Sequence, residues 1–128
     1  MKKIKKISNL VKTSNGVKIA ISSTGEKLTD NVSEVFARCP YFVLAEIENK
    51  EIKRYEAIKN ESINQMGGAG ISTAQLMAEK DIKAVITKNV GPRALDVLKQ
   101  FNIGIYYGDG TIEKVLREFI EGKLEKMN

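Results

Sequence analysis

The stretch that decides the fold runs from residue 82 to residue 107 and reads IKAVITKNVGPRALDVLKQFNIGIYY. Its two ends, 82–87 and 103–107, are short apolar runs of the kind that form buried strands. Between them, Pro92 precedes apolar residues at helical spacing and stands where prolines favour the first turn of a helix. A strand, a helix and a second strand in this order predict an α/β protein.

The residues that follow repeat this alternation. Asp109 and Gly110 form a turn signal, and Thr111 stands in a capping position. Apolar residues then recur at i, i+3, i+4, i+7 and i+8, which is the spacing of one buried helix face. The pattern predicts a helix over 111–120 that buries Ile112, Val115, Leu116, Phe119 and Ile120.

The residues that precede it supply three more strands and a helix. Strands are predicted over 17–23, 41–47 and 51–59, and Asn49-Lys50 forms a tight turn between the second and the third. A polar loop then leads into a helix that continues to about residue 80. The element order predicts a mixed five-stranded sheet with helices on its faces, a ribonuclease-H-like motif.

Charge and length divide the chain into one domain with two tails. Residues 1–16 carry five lysines and no acidic residue, whereas the other residues carry 16 basic and 16 acidic side chains. We therefore expect a flexible basic arm over 1–16, a single domain over 17–123 and a C-terminal tail over 124–128. A neutral domain argues against nucleic-acid binding.

The composition excludes several classes of site and of location. The chain has no histidine and one cysteine, Cys39, so a Ser-His-Asp triad, a Cys-His pair and a zinc site of cysteines and histidines are ruled out. An iron-sulfur site held by four cysteines of one chain is ruled out as well. No apolar run is long enough for a membrane span or a signal peptide, so we expect a cytoplasmic protein without membrane contact.

Three motifs occur in a fixed order along the chain: SEVFARCPYF over 33–42, GAGI over 68–71 followed by AQL over 74–76, and NVGPRA over 89–94. Together they resemble the dinitrogenase iron-molybdenum cofactor biosynthesis family, which includes NifX, NafY and the C-terminal part of NifB. The resemblance runs from about residue 17 to about residue 123 and suggests a stand-alone archaeal or bacterial member. It implies a ribonuclease-H-like fold that binds an iron-sulfur or iron-molybdenum type of cofactor.

One departure from the family concerns a metal-ligand position. Family members often have His-Phe-Gly where this chain has Val35-Phe36-Ala37. Cys39 is then the only soft metal ligand in the neighbourhood, and Arg38 beside it is expected to lower the thiol pKa. The alternative is that Cys39 is a small buried apolar residue of the core.

The remaining candidates are suited to binding an anion. Backbone N–H groups of a glycine loop at a helix N-terminus attract negative charge, and an arginine nearby neutralises it. The alternatives are a tight turn at the glycines, a helix start at Pro92 and a solvated surface arginine. The candidate residues are Gly67, Gly68, Ala69, Gly70, Asn89, Gly91 and Arg93.

These features lead to a non-enzymatic carrier of an iron-sulfur or other anionic metal cofactor. The expected partners are cofactor-assembly or acceptor proteins, and the expected state is a monomer or a weak homodimer. The predicted first strand carries none of the carboxylates that two-metal nuclease chemistry needs, which argues against an enzyme. Two alternatives stay open: an interaction or regulatory module that has lost the cofactor, and a sensor of small anions or nucleotides.

Overall fold

A computed structural model of the protein describes residues 16–128, so the predicted basic arm lies, apart from Gly16, outside the described residues. These residues form one sheet, three α-helices and a short 3₁₀ helix, and none of the helices among them is long and apolar enough to cross a membrane. The elements are β1 Val17–Ser23, the 3₁₀ helix Phe36–Arg38, β2 Tyr41–Glu48, β3 Glu51–Lys59, α1 Ala69–Glu79, β4 Ala84–Thr87, α2 Pro92–Gln100, β5 Gly104–Tyr107, α3 Ile112–Ile120 and β6 Glu125–Lys126.

The strand order across the sheet is β3-β2-β1-β4-β5-β6. β2 runs antiparallel to both β1 and β3, β4 runs parallel to β1, and β5 runs parallel to β4. The carboxyl ends of β1, β3, β4 and β5 therefore lie at one edge of the sheet, where β2 begins. This arrangement confirms the predicted mixed sheet with its hairpin at the start and its parallel strands at the end.

The sheet has six strands, not the five that the sequence predicts. The sixth, β6, lies within residues 124–128, which we assigned to a C-terminal tail, and pairs with Tyr106 and Tyr107. The side chain of Asn128 accepts a hydrogen bond from the backbone N–H of Ile105 and donates one to the carbonyl of Ile103. A strand of two exposed residues has no apolar alternation, so the sequence gives no signal for it.

The hairpin of β2 and β3 contains a tight turn and a bulge. Asn49 and Lys50 have φ angles of 54° and 63°, the left-handed conformation that two-residue hairpin turns require, which confirms the predicted turn. The pairing shifts between Glu46 and Ile47, so Lys53 has no residue opposite it in β2. Such an extra residue is a β-bulge, which twists the end of the hairpin.

Apolar side chains cover both faces of the sheet. Ala20, Leu44 and Val85 belong to a buried cluster with α1 and α2, whereas Ile19 and Ile21 belong to a second cluster with α3. Alternate residues of a strand point to opposite faces, so β1 contributes to both clusters. On the predicted face of α3, Ile112, Val115 and Leu116 are fully buried, whereas Phe119 and Ile120 are partly buried against the same cluster. The Thr111 hydroxyl accepts a hydrogen bond from the backbone N–H of Lys114, as the capping position predicts.

Candidate functional site

The edge of the sheet where β1, β3, β4 and β5 end gathers several loops and two helix starts. β1, β4 and β5 end there, and the segments after them reach one another through isolated bridges outside the named strands. The loop after β3 leads into α1 at the same edge, and the segment after β4 leads into α2. In open α/β sheets this is the edge where ligands bind.

Asn89, the first candidate at this edge, joins two of these segments. Its backbone carbonyl accepts hydrogen bonds from the N–H of Phe36, at 2.9 Å, and from the hydroxyl of Thr87, at 3.3 Å. Its side-chain amide donates to the carbonyl of Glu34 at 3.1 Å. Asn89 therefore fixes the segment around Val35 beside the start of α2.

Arg38 holds the loop that precedes α1. One guanidinium nitrogen donates hydrogen bonds to the carbonyls of Ile63 and Gln65, both at 2.9 Å. The side-chain amide of Gln65 in turn donates to the carbonyl of Gly67 at 2.7 Å. Arg38 thus connects the 3₁₀ helix to the glycine loop and sets the position of that loop.

The N-termini of α1 and α2 lie side by side. A Cβ placed on Gly70 would lie 3.1 Å from the Cβ of Ala94, so the first turns of the two helices are in direct contact. The residues before the helices, Gly68 and Gly91, provide no side chain to cap them. Gly68 has a φ of 74°, a left-handed conformation that glycine adopts without strain. Two uncapped helix starts therefore contribute their partial positive charge to the same place.

The other glycine-loop and α2 candidates border these helix starts. A Cβ placed on Gly67 or Gly91 would meet no atom within 4 Å, so both backbones face open space. Arg93 lies in the first turn of α2, is exposed, and makes no salt bridge with any residue of the described chain. Ala69, by contrast, is buried and contributes its backbone alone. Gly67, Gly68, Gly91 and Arg93 are therefore exposed at or next to the two helix starts, whereas Cys39 is buried.

Cys39 is fully buried in the cluster beneath α1 and α2. Its thiol donates to the carbonyl of Phe36 at 3.2 Å, and burial raises the pKa of the Cys39 thiol to about 12. This rise is opposite to the fall in the thiol pKa that we expected from Arg38. The guanidinium of Arg38 instead donates to carbonyls of the loop before α1. A buried, protonated thiol is inert, because the thiolate is the form that binds metals. Cys39 therefore has the environment of the apolar alternative.

Asn60, which the sequence analysis did not single out, supports the chain around Cys39. It is almost fully buried, and its side-chain amide donates to the carbonyls of Ala37 and Cys39 at 2.9 and 2.8 Å. Its carbonyl oxygen accepts a hydrogen bond from the N–H of Ser62 at 3.0 Å. An isolated asparagine in a polar loop gives no sequence signal, because its role depends on contacts with distant residues.

Lys88 is a second residue that the sequence analysis missed. It directly follows β4, and its ammonium group lies 3.2 Å from a carboxylate oxygen of Glu34 and 3.2 Å from one of Asp109. The hydrogen bonds that Lys88 donates to these two carboxylates raise its pKa. The lysine links the segments after β1, β4 and β5, and its position immediately after a parallel strand is the signal that identifies it.

Two exposed apolar side chains lie in the same segments. Val35 is 38% exposed, and Met66, just before the glycine loop, is 98% exposed. Their exposure depends on the packing of neighbouring loops, which the sequence alone does not give.

The donors at this edge are suited to an anion and not to a bare metal ion. Among residues 16–128 no group of three or more cysteine, aspartate or glutamate side chains could hold a metal. A cavity of about 670 Å³ is lined by Lys18, Glu46 and Lys83, at the opposite edge of the sheet, and touches none of the candidates. The uncapped helix starts and Arg93 lie at the other edge, away from this cavity.

Comparison with known proteins gives consistent matches over almost the whole domain. Residues 17–122 match the model of the family described as dinitrogenase iron-molybdenum cofactor. The uncharacterized protein MJ0580 of Methanocaldococcus jannaschii is 40% identical over 111 residues, which cover 86% of this chain and 91% of that protein. The apo form of the orange protein from Desulfovibrio gigas has a TM-score of 0.77 at 26% identity and covers 86% and 92% of the two chains. TM1290 from Thermotoga has a TM-score of 0.72 at 32% identity, with the same coverage of 86% and 92%.

Proposed function

Because this chain belongs to the dinitrogenase iron-molybdenum cofactor family, we propose that it is a non-enzymatic carrier of an anionic iron-sulfur or iron-molybdenum type of cofactor. The observation that carries the proposal is the contact between the first turns of α1 and α2 at Gly70 and Ala94. We further propose that the domain has the ribonuclease-H-like arrangement, which its strand order supports, and that it acts in the cytoplasm.

The cargo is recognised through hydrogen bonds and charge. The N–H groups of Ala69 and Gly70 lie in the first turn of α1, which no side chain caps, and Gly91 precedes a second uncapped helix. Each helix start favours negative charge, and Arg93 adds a full positive charge beside them. A metal-sulfide cluster presents anionic sulfur atoms on its surface, which accept hydrogen bonds from such donors.

Direct ligation by this chain is not part of the proposal. Cys39 is buried with a raised pKa, and Val35 occupies the position where family members often have histidine. Binding without a protein–metal bond allows fast release, which is what a carrier needs when it delivers the cargo to an acceptor. We propose that the partners are cofactor-assembly and acceptor proteins. They contact the exposed side chains of Val35 and Met66.

The carboxylates at this edge support a binding role over a hydrolytic one. Glu34 and Asp109 both form salt bridges with Lys88 and so are partly neutralised. Two-metal hydrolysis needs carboxylates that face a pair of metal ions a few Å apart. A small-anion sensor would use the same helix starts. Comparing the affinities for a metal-sulfide anion and for inorganic phosphate separates it from cluster carriage.

The test is anaerobic titration with tetrathiomolybdate, a metal-sulfide anion, and in parallel reconstitution with iron and sulfide. Visible absorption and metal content report binding to the wild type, Arg93→Ala, Cys39→Ala and the control Lys99→Ala. Lys99 is also exposed on α2 but lies in its last turn, so the control removes the same charge away from the helix start. Loss of one charge-assisted contact is expected to weaken binding about tenfold in Arg93→Ala and little in Lys99→Ala.

Three results would contradict the proposal in different ways. Equal binding by Arg93→Ala and Lys99→Ala would show that the helix starts are not the site. Loss of binding in Cys39→Ala, with the fold intact by circular dichroism, would restore the thiolate as a ligand. Binding of inorganic phosphate with the same affinity as the metal-sulfide anion would favour the small-anion sensor.

A further inference from the structure

β3 is an edge strand with an unusual arrangement of charge. In the described part of the chain it pairs only with β2, so its other side presents backbone N–H and C=O groups that have no neighbouring strand. It is nine residues long, and most of its side chains are exposed. Edge strands of this length are templates for pairing with another chain.

Two residues of opposite charge flank Tyr55 at the centre of β3. Arg54 precedes it and Glu56 follows it, and these two side chains share one face of the sheet. Glu56 lies opposite Leu44, which belongs to the cluster beneath α1 and α2. Tyr55 lies on the other face, opposite Ala45, and is 47% exposed.

We propose that two copies of this protein associate through antiparallel pairing of β3, with Tyr55 on the two-fold axis. In this register Arg54 of each copy lies directly opposite Glu56 of the other, so two ion pairs form across the axis. The two Tyr55 side chains then lie opposite each other on the second face of the sheet. Opposite charges and aromatic pairs at directly opposed positions both stabilise strand pairing.

The charges of β3 also act against neighbouring registers. An antiparallel pair with its axis on Lys53, Arg54 or Glu56 places that charged residue opposite its own copy. A parallel, in-register pair places every charged residue beside the same residue of the other copy. Like charges directly opposite each other destabilise a strand pair, so the same side chains that block these arrangements favour the axis at Tyr55.

The bulge limits the strength of this association. On the N-terminal side of Lys53, the alternation of β3 side chains between the two faces of the sheet shifts by one residue, because Ile52 pairs with Ile47 and Arg54 pairs with Glu46. The regular ladder across the axis therefore covers about five residues, or roughly 17 Å of strand. An interface of this length is smaller than that of stable dimers, and we expect a weak, concentration-dependent dimer.

The first test is disulfide crosslinking of single-cysteine probes on β3. In Tyr55→Cys the two new thiols lie directly opposite each other, at a Cα separation of about 4.5 to 5.5 Å that a disulfide can span. In the control Ala57→Cys the new thiols lie four residues apart along the strand, about 13 Å, because Ala57 faces Lys53 of the other copy. Cys39 is buried in the core of both variants and does not compete.

Oxidised glutathione, which accepts the two electrons as each disulfide forms, is expected to give a covalent dimer of Tyr55→Cys and little dimer of Ala57→Cys. Equal crosslinking of the two variants would reflect random collisions and would overturn the register. Absence of crosslinking in Tyr55→Cys, at protein concentrations up to the millimolar range, would overturn the interface itself.

The second test is charge reversal, followed by sedimentation equilibrium at several protein concentrations. Glu56→Arg places an arginine opposite Arg54 of the other copy at both ion pairs and is expected to weaken the dimer about tenfold. Arg54 also forms a salt bridge with Glu46 of its own chain, at 3.1 Å. The triple variant Glu46→Arg/Arg54→Glu/Glu56→Arg therefore exchanges the charges across the axis, keeps an ion pair between positions 46 and 54, and is expected to recover most of the association. Failure of the triple variant to recover it would contradict the proposed pairing, because no other register restores both ion pairs.

Discussion

Gly70 and Ala94 are so close that a Cβ on the glycine would lie 3.1 Å from the Cβ of the alanine. This distance is shorter than ordinary contact between methyl groups, so the absence of a side chain at position 70 is what brings α1 and α2 together. The contact positions both helix starts at the candidate site, and it therefore connects a packing requirement in the domain with its proposed function.

Enlarging Gly70 is expected to separate the two helix starts. Gly70→Val places branched carbon atoms against Ala94 and should lower the free energy of unfolding by about 1 to 3 kcal/mol. Binding of tetrathiomolybdate should weaken with it. Chemical denaturation measures the first effect, and Gly67→Ala is the control, since a Cβ at Gly67 would meet no atom within 4 Å. A Gly70→Val variant with the same free energy of unfolding as the wild type would show that the contact is not tight.

The buried thiol of Cys39 gives a pH dependence with a definite sign. Its pKa rises from 9.0 to about 12 in the folded protein, so the folded state holds this proton more tightly than the unfolded state does. The associated stability is fully present below pH 9 and is lost as the pH rises from 9 toward 12. The wild type should lose stability faster over this range than Cys39→Ala, in urea denaturation at each pH. Parallel curves for the two proteins would contradict the raised pKa.

The thiol should also react slowly in the native protein. Ellman's reagent needs an accessible thiolate, and Cys39 offers neither accessibility nor a low pKa. We expect slow labelling at pH 8 in buffer and rapid labelling once urea unfolds the chain. Rapid labelling of the folded protein would mean that the segment around Cys39 opens often, and Cys39 would again be a candidate ligand.

Replacing Asn60 should destabilise the segment that carries Arg38 and Cys39. Asn60→Ala leaves the carbonyls of Ala37 and Cys39 without their donor in a buried place, which should cost about 1 to 3 kcal/mol for each carbonyl left without a partner. Asn60→Asp is the matched variant, because it keeps the oxygen that accepts from Ser62 and removes the donor. In thermal denaturation the wild type should have the highest melting temperature of the three proteins. An Asn60→Asp variant as stable as the wild type would refute the role of the donor.

The Lys88 salt bridges should stabilise the edge in a salt-dependent way. Lys88→Met removes both ion pairs, with Glu34 and with Asp109, and should lower the melting temperature at low ionic strength. The difference from the wild type should shrink in 1 M salt because mobile ions screen the attraction. Lys123→Met, which removes one exposed pair with Glu121, is the control and should change little.

The sequence predicts those parts of the structure that local rules determine. The apolar face of α3, its Thr111 cap and the Asn49-Lys50 turn follow from spacing and from residue types, and all three are present. The glycine loop before α1 was likewise predicted to lie at a helix start. These features depend on residues within a few positions of one another, and therefore a single sequence is sufficient.

The features that the sequence did not predict depend on contacts between distant residues. For Cys39 the sequence left metal binding and burial in the core both open, and the packing of the 3₁₀ helix onto the core is what decides for burial. Lys88 acquires its role from Glu34 and Asp109, which are 54 and 21 positions away in the chain. The two residues of β6 pair with β5 through backbone groups, and backbone pairing leaves no trace in side-chain composition.

The shortness of β6 has a consequence for assembly. It occupies the margin of the sheet beside β5, but it is too short and too exposed to serve as a template for another long strand. Within residues 16–128 only the β3 margin can extend the sheet, and the proposed two-fold pair uses that margin in both molecules at once. Growth of such a pair by strand addition therefore terminates at two subunits.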